Sequence, residues 1–344
     1  MKSIIKITVF IIALSILLTG CQTADNENNN PTSTAAEPEE TALTLPSLSA
    51  VSLDNQPLKV VATTSVIGDI VGRVGGDAIE LTTLIVPGQD SHSYEPSSRD
   101  LTAAADAHVI FINGWNLEEG LIANLENVSE NGVLVPVSAG IDPLQREEHE
   151  EEGEENEGEE EHEHMGADPH TWLVPHQVVQ WVENISQVLG SLDPANADSY
   201  SQNAADYLTE LQSLIQYYDE QVATIPAENR VMVTNHDSFG YFAAAYDFEI
   251  IGTVLAGAST LSEPSAEELA ELVDTMKEAG VCAVFAETSA NTILAETVTA
   301  ELNSCDKVQV IALYTESIGS PGSGADSYIG MMRANIDAIV NGLQ

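Results

Sequence analysis

The chain alternates between short apolar runs and amphipathic segments, and this alternation is what most constrains its fold. The first series has strand-like runs at 60–63, 81–86, 109–113 and 133–137, with helical spacing at 67–74, 97–107 and 117–125. The second has strand-like runs at 231–234, 250–255, 283–286 and 308–313, with helical spacing at 239–246, 265–279, 290–302 and 327–343. Repeated βαβ units build parallel sheets flanked by helices. The sequence therefore predicts an α/β fold of two lobes, each a roughly four-stranded parallel sheet flanked by helices.

A long amphipathic segment separates the two series. Apolar residues between positions 195 and 224 recur at steps of three and four, as an amphipathic helix requires; they are Tyr200, Ala204, Tyr207, Leu208, Leu211, Leu214, Ile215 and Tyr218. A helix of that length is about 45 Å long at 1.5 Å per residue. We expect an N-terminal lobe at 57–194, a rigid linking helix at 195–226 and a C-terminal lobe at 227–344.

The first residues have the pattern of an export signal. Residues 1–20 carry Lys2 and Lys6 near their start, and their apolar run is too short to span a bilayer comfortably. Leu18-Thr19-Gly20-Cys21 resembles the bacterial lipobox, in which cleavage leaves a lipidated Cys21; an ordinary signal peptide is the alternative. Residues 21–56 are polar and aperiodic, which indicates a flexible tether. The mature protein is expected to be exported and lipid-anchored, on the outer face of the cell membrane or in the periplasm.

The charge balance excludes one class of partner and favours another. The chain has 55 acidic and 10 basic residues, so it lacks the basic footprint of a nucleic-acid-binding protein. Strong negative charge raises the local concentration of cations. Besides Cys21 the chain contains Cys282 and Cys305, which in an exported protein indicate a disulfide, with two buried free thiols as the alternative.

Four polar residues lie next to predicted strand or helix ends. Ligands in open α/β folds collect at the carboxyl ends of the strands, which makes these positions candidates for a shared site. They are His92, His170, His236 and Glu316. Three imidazoles and a carboxylate suit a tetrahedral Zn²⁺. The separations between them match no local metal motif, so spacing alone leaves a solvated loop histidine as the alternative at each position.

Longer motifs resemble those of a known family. The stretches Val-Pro-Gly-Gln-Asp-Ser-His-Ser-Tyr-Glu-Pro, Asp-Pro-His-Thr-Trp, Asn-His-Asp-Ser-Phe-Gly-Tyr-Phe, Phe-Ala-Glu-Thr-Ser and Leu-Tyr-Thr-Glu-Ser-Ile-Gly occur in order along the chain. They resemble the solute-binding proteins of ABC importers for zinc or manganese. The resemblance implies one metal ion in the cleft between two α/β lobes, with His92, His170, His236 and Glu316 as its ligands.

The resemblance also has implications for the ion and the partners. Members of that family usually have Asp where this chain has Glu316, and manganese members usually have a carboxylate where it has His236. Three nitrogen ligands favour Zn²⁺ over Mn²⁺, which remains the alternative. The expected function is the capture of Zn²⁺ by a monomer and its delivery to a membrane permease. Asp168 and Asp237 adjoin the candidate ligands and are expected to orient them.

A run of acidic residues precedes His170. The loop at 146–165 contains His149, His162 and His164 among glutamates, a composition typical of a solvated loop. Such a tract can also bind Zn²⁺ weakly, so these histidines are candidates for an auxiliary low-affinity site.

Two further functions compete with transport. A zinc hydrolase would need an open coordination position, and the sequence contains no His-Glu-X-X-His motif. We therefore expect that the protein is not an enzyme. A surface adhesin is the other alternative, in which the histidines would be incidental.

Overall fold

The N-terminal lobe is built on a parallel sheet of four strands. The computed structural model describes residues 42–129, 132–145, 166–255, 257, 259–289, 292–302, 305 and 308–344. The strands are β1 (Leu58–Ala62), β2 (Ile79–Thr83), β3 (Val109–Ile112) and β4 (Val133–Pro136), in the order β2-β1-β3-β4. Helices cover both faces of a parallel sheet, so an inner strand such as β3 consists of apolar residues that are nearly all buried. The edge strand β2 instead alternates between partly buried and exposed residues.

The C-terminal lobe repeats this topology. Its strands are β5 (Val231–Thr234), β6 (Glu249–Thr253), β7 (Ala283–Glu287) and β8 (Gln309–Leu313), and their order is β6-β5-β7-β8. All the pairings are parallel, so the carboxyl ends of the strands in each lobe lie at one edge of its sheet. The predicted fold class, two four-stranded parallel sheets flanked by helices, is confirmed.

The helices begin where the sequence provides caps. They are α1 (Ser65–Gly75), α2 (Ser98–Asp106), α3 (Glu119–Val128), α4 (Pro175–Leu192), α5 (Ala197–Val222), α6 (Gly240–Tyr246), α7 (Ala266–Ala279), α8 (Ile293–Ala300) and α9 (Tyr328–Leu343). Helices α2 and α7 both begin at a capping box, formed by Ser97 with Asp100 and by Ser265 with Glu268. Within the described part of the chain, no helix has the length and apolar character that a membrane span requires.

Helix α5 packs against both lobes. Near its start, Asn203 Nδ2 donates a hydrogen bond of 3.0 Å to the Val74 carbonyl at the end of α1. Near its end, the Tyr218 hydroxyl donates one of 2.9 Å to the Met332 carbonyl in α9. The residues of the predicted amphipathic face are buried in α5, except that Leu208 is only partly buried, and Val222 is buried in addition. Helix α5 therefore fixes one lobe against the other along its length.

The two lobes also share one hydrophobic core. A single cluster of buried residues includes Val60 and Phe111 from the N-terminal lobe and Met232 and Ile336 from the C-terminal lobe. Polar contacts cross the same interface: Trp172 Nε1 donates to the Thr315 carbonyl at 2.7 Å, and the Tyr328 hydroxyl donates to the Trp172 carbonyl at 2.8 Å. A shared core resists separation of the lobes, because opening would expose apolar surface.

The segment at residues 42–56 does not behave as a flexible tether. Leu45, Leu48, Val51 and Leu53 pack against the main core. The Val51 amide donates a hydrogen bond of 2.9 Å to the Leu192 carbonyl. Burial of these apolar side chains offsets the entropy of ordering the segment, so the expectation of a tether at 21–56 is wrong for residues 42–56.

Several predicted features fall outside the described residues. These are the signal peptide at 1–20, Cys21, the tether up to residue 41 and the acidic loop at 146–165 with His149, His162 and His164. The loop is flanked by an antiparallel bridge between Gln145 and Ala167. Cys282 and Cys305 are described, and a disulfide joins them with their Cα atoms 5.9 Å apart.

Candidate metal centre

The four candidate ligands lie on segments that follow strands of the two sheets. His92 lies between β2 and α2 and His170 between β4 and α4, both in the N-terminal lobe. His236 follows β5 and Glu316 follows β8, both in the C-terminal lobe. All four are at most 3 % exposed, so their polar atoms are shielded from bulk solvent. Each lobe thus contributes two side chains to one buried cluster.

The ligand atoms of these side chains converge. His170 Nε2 lies 3.4 Å from His92 Nε2 and 3.1 Å from His236 Nε2. Glu316 Oε1 lies 3.7 Å from the Nε2 atoms of both His170 and His236, and Glu316 Oε2 lies 3.9 Å from His92 Nε2. One ligand atom from each of the four residues falls within 4.8 Å of all the others. The structure thus brings together all four residues that the sequence predicts.

These separations fit a four-coordinate cation. Bonds of about 2.05 Å in a tetrahedron place neighbouring ligand atoms about 3.3 Å apart. His170 Nε2 lies 3.1 Å from His236 Nε2 and 3.4 Å from His92 Nε2, on either side of that value. Glu316 Oε1 lies 3.7 Å from the Nε2 atoms of His170 and His236, a few tenths of an ångström beyond that value. The donor set and its spacing therefore suit a small divalent ion.

A carboxylate contacts the other ring nitrogen of each histidine. His92 Nδ1 lies 3.2 Å from Glu119 Oε1, and His170 Nδ1 lies 2.7 Å from Asp168 Oδ1. His236 Nδ1 is hydrogen-bonded to Glu287 Oε1. A carboxylate at Nδ1 holds a proton on that nitrogen, so Nε2 is the nitrogen that each ring presents to a metal. All three rings are therefore oriented with Nε2 toward the shared centre.

Sequence reasoning identified these carboxylates only in part. Asp168 has the orienting position expected for it. Among the described residues, Asp237 makes no side-chain hydrogen bond to a candidate ligand; its backbone amide donates to the Gly257 carbonyl instead. Glu287, at the end of β7, takes the orienting role beside His236. Glu119 was missed, although an acidic residue at the first turn of the helix after β3 is a signal that could have identified it.

Burial and neighbouring charged groups together set the pKa values in the site. Burial lowers the pKa of His236, but the Glu287 carboxylate and, more weakly, Glu316 outweigh burial and raise the pKa to about 9. Burial raises the pKa of Glu316, partly offset by His92 and His236. The hydrogen bond with His92 lowers the pKa of Glu119. The raised pKa of His236 means that a divalent cation that binds to this ring displaces a proton.

Comparisons with known proteins agree with this geometry. Residues 60–342 match a family model described as ZnuA, zinc-uptake complex component A, periplasmic. The manganese-binding lipoprotein MntA of Halalkalibacterium halodurans is 36% identical, over 85% of this chain and 90% of MntA.

Solved structures share the fold. The periplasmic zinc binding protein TroA from Treponema pallidum has a TM-score of 0.74 and 30% identity, covering 84% of this chain and 99% of TroA. A Mn-bound periplasmic metal binding protein from Candidatus Liberibacter asiaticus has a TM-score of 0.70 and 26% identity. The match covers 83% of this chain and 99% of that protein.

The family model spans most of the chain, and the buried His₃Glu cluster lies between two lobes that share the fold of these metal-binding proteins. The chain belongs to the ZnuA family of extracytoplasmic, metal-binding substrate-binding proteins of ABC importers.

Proposed function

We propose that this protein captures Zn²⁺ reversibly outside the cytoplasm and delivers it to the permease of an ABC importer. The observation that carries the proposal is the convergence of three imidazole nitrogens and one carboxylate oxygen in a buried cluster. Four protein ligands leave no open position for an activated water, which favours binding over hydrolysis. The ion is the cargo of the protein, held by His92, His170, His236 and Glu316.

The donor set supports Zn²⁺ as the ion. Imidazole nitrogen suits Zn²⁺, whereas Mn²⁺ prefers more oxygen ligands and a higher coordination number. The nitrogen–nitrogen separations of 3.1 and 3.4 Å also match the edges of a tetrahedron. Mn²⁺ is the second candidate, because the relative from Halalkalibacterium halodurans is named for manganese. We assign Zn²⁺ because the ligand set of this chain itself, three imidazoles and one carboxylate, favours that ion.

The export and attachment of the protein are part of the same proposal. Cleavage before Cys21 and lipidation of its thiol would hold the protein at the membrane that contains the permease. The histidines of the acidic loop at 146–165 would collect Zn²⁺ weakly near His170, which lies five residues beyond the end of the loop. The protein would act as a monomer, with the permease as its partner.

Metal binding by a soluble form tests the proposal. We would purify the chain from Gln22 onward, remove bound metal with a chelator and measure the stoichiometry of Zn²⁺ and its competition with Mn²⁺. We expect one tight Zn²⁺ per chain, retained when residues 147–164 are deleted and lost in His236→Ala. The matched control is His176→Ala, because His176 is exposed on α4 and lies outside the cluster.

The other outcomes of this experiment are equally informative. Tighter binding of Mn²⁺ than of Zn²⁺ would retain the transport function but overturn the assignment of the ion. Absence of a tight site for either metal would contradict the proposal and favour the adhesin alternative.

A further inference from the structure

The two carboxylate oxygens of Glu316 have different surroundings. The Ser91 hydroxyl donates a hydrogen bond to Oε2. Oε1 is buried and has no hydrogen-bond partner among the described residues, and it lies 3.7 Å from the Nε2 atoms of His170 and His236. An unpaired buried carboxylate oxygen is costly unless a cation binds it. Oε1 is therefore the oxygen that is available to a metal, whereas Oε2 already has a partner.

The loop that carries Ser91 is held against the opposite lobe. Asp90 accepts a hydrogen bond of 2.6 Å from the Thr260 hydroxyl and one of 3.0 Å from the His92 amide. On the other side, the Gly88 amide donates a hydrogen bond of 2.9 Å to the Ser317 hydroxyl. Ser91 is only 1 % exposed. Contacts on both sides thus fix its hydroxyl, which belongs to the N-terminal lobe, against a carboxylate of the C-terminal lobe.

The hydrogen bond affects how Glu316 can coordinate. A carboxylate binds a metal through one oxygen or through both. A hydroxyl that donates to Oε2 competes with the metal for the electron density of that oxygen, so coordination through Oε1 alone is favoured. One oxygen and three imidazole nitrogens make a four-coordinate site, which Zn²⁺ prefers. Coordination through both oxygens would add a fifth ligand atom and favour Mn²⁺, which prefers more oxygen.

We propose that Ser91 is a selectivity residue, whose hydroxyl holds Oε2 of Glu316 away from the bound ion and so favours Zn²⁺ over Mn²⁺. Ser91 does not touch the ion; it acts by positioning Glu316. This inference rests on the proposed metal-binding function and deepens it. It also explains how a Glu, with its longer reach than Asp, can serve as a ligand through one oxygen.

Three substitutions of Ser91 test the inference. Ser91→Ala and Ser91→Gly remove the hydroxyl, and Ser91→Thr retains it. We would measure the ratio of the Mn²⁺ and Zn²⁺ dissociation constants by competition for each protein. We expect the preference for Zn²⁺ to fall by about tenfold in Ser91→Ala and Ser91→Gly, because Glu316 can then offer both of its oxygens, which Mn²⁺ favours. In Ser91→Thr the preference should stay as in the parent protein.

The visible spectrum of the Co²⁺ form provides a second readout. Four-coordinate Co²⁺ absorbs strongly in the visible region, and absorption weakens when a further ligand binds. We expect strong absorption for the parent protein and Ser91→Thr and weaker absorption for Ser91→Ala and Ser91→Gly. A merely structural role for Ser91 would lower the affinity for both metals equally and leave the spectrum unchanged.

The result that would overturn the inference is tight Zn²⁺ binding by Ser91→Ala or Ser91→Gly with an unchanged metal ratio and spectrum. The proposed function would survive that result. Failure of the parent protein to bind either metal tightly would instead contradict the proposed function itself.

Discussion

The three site histidines share one arrangement of contacts. Each presents Nε2 to the common centre and Nδ1 to a carboxylate, and the three pairs are His92 with Glu119, His170 with Asp168 and His236 with Glu287. The carboxylate makes the imidazole a stronger base and fixes the tautomer that can bind a cation. The affinity of the site therefore depends on these carboxylates as well as on the four candidate ligands.

Substitution of one orienting carboxylate tests its contribution. Glu287→Gln removes the charge beside His236 but keeps a side chain of similar size. We expect the affinity for Zn²⁺ to fall by about 10- to 100-fold, because the negative charge that makes the His236 imidazole a stronger ligand is removed. Titration calorimetry measures the effect. The matched control is Glu271→Gln, on the exposed face of α7, which should bind as the parent protein does.

The raised pKa of His236 predicts that metal binding releases a proton. Because its pKa is about 9, His236 is protonated at pH 7 in the metal-free protein, and it must lose that proton to bind a cation. The apparent affinity should therefore fall as the pH is lowered from about 9, by roughly tenfold per unit for each proton displaced. Calorimetry at pH 7 in buffers of different ionisation enthalpy counts the protons. Binding that is independent of buffer and pH would contradict the role of His236.

The four converging side chains are predictable from the sequence because they lie in long motifs. Ser91 and Glu119 are not, for a physical reason. Ser91 contacts Glu316, which is 225 positions away, and Glu119 contacts His92, which is 27 positions away. Neither pairing follows from local periodicity, since only the docking of the two lobes and of α3 brings these partners together.

At the scale of elements, the strands of the C-terminal lobe carry the site at one end and the disulfide at the other. Cys282 immediately precedes β7, whereas Glu287 is the last residue of that strand. Cys305 lies between α8 and β8, so the disulfide ties together two connections at the edge remote from the cluster. Such a cross-link contributes to the stability of the lobe without contacting the cluster.

Removal of the disulfide should therefore separate stability from binding. Cys282 and Cys305 are 23 positions apart, and closing a loop of that size in the unfolded chain contributes about 3 kcal/mol. We expect the double substitution Cys282→Ala and Cys305→Ala to lower the free energy of unfolding by about that amount, as measured by denaturant titration. The affinity of the folded protein for Zn²⁺ should stay unchanged. A large loss of affinity would show that the disulfide also shapes the site.

At the scale of the whole molecule, the two lobes form one packed unit. The main cluster of buried residues crosses between them, and α5 is hydrogen-bonded to both α1 and α9. The sequence predicts this architecture because the βαβ series and the amphipathic face of α5 are local patterns. It does not predict the docking of residues 42–56. The apolar side chains of this segment pack onto the core, but they follow no helical or strand period and stand among polar residues.

The shared core predicts little change in overall shape when metal binds. Wide opening of the cleft would expose buried apolar surface and break the hydrogen bonds between the lobes, so we expect only local movement of the site loops. Small-angle X-ray scattering should give the same radius of gyration with and without Zn²⁺. His236→Ala with added Zn²⁺ is the control. A clear decrease in the radius of gyration on metal binding would show a hinged closure instead.

X-ray absorption spectroscopy of the Zn²⁺-loaded protein tests the central claim most directly, because it reports the number and type of ligand atoms. The account predicts four nitrogen or oxygen atoms at about 2.0 Å, with the outer-shell scattering of three imidazole rings. In His92→Ala the outer-shell scattering should correspond to two imidazole rings instead of three. Six ligand atoms around the ion, or the signal of fewer than three rings in the parent protein, would contradict the proposed His₃Glu site.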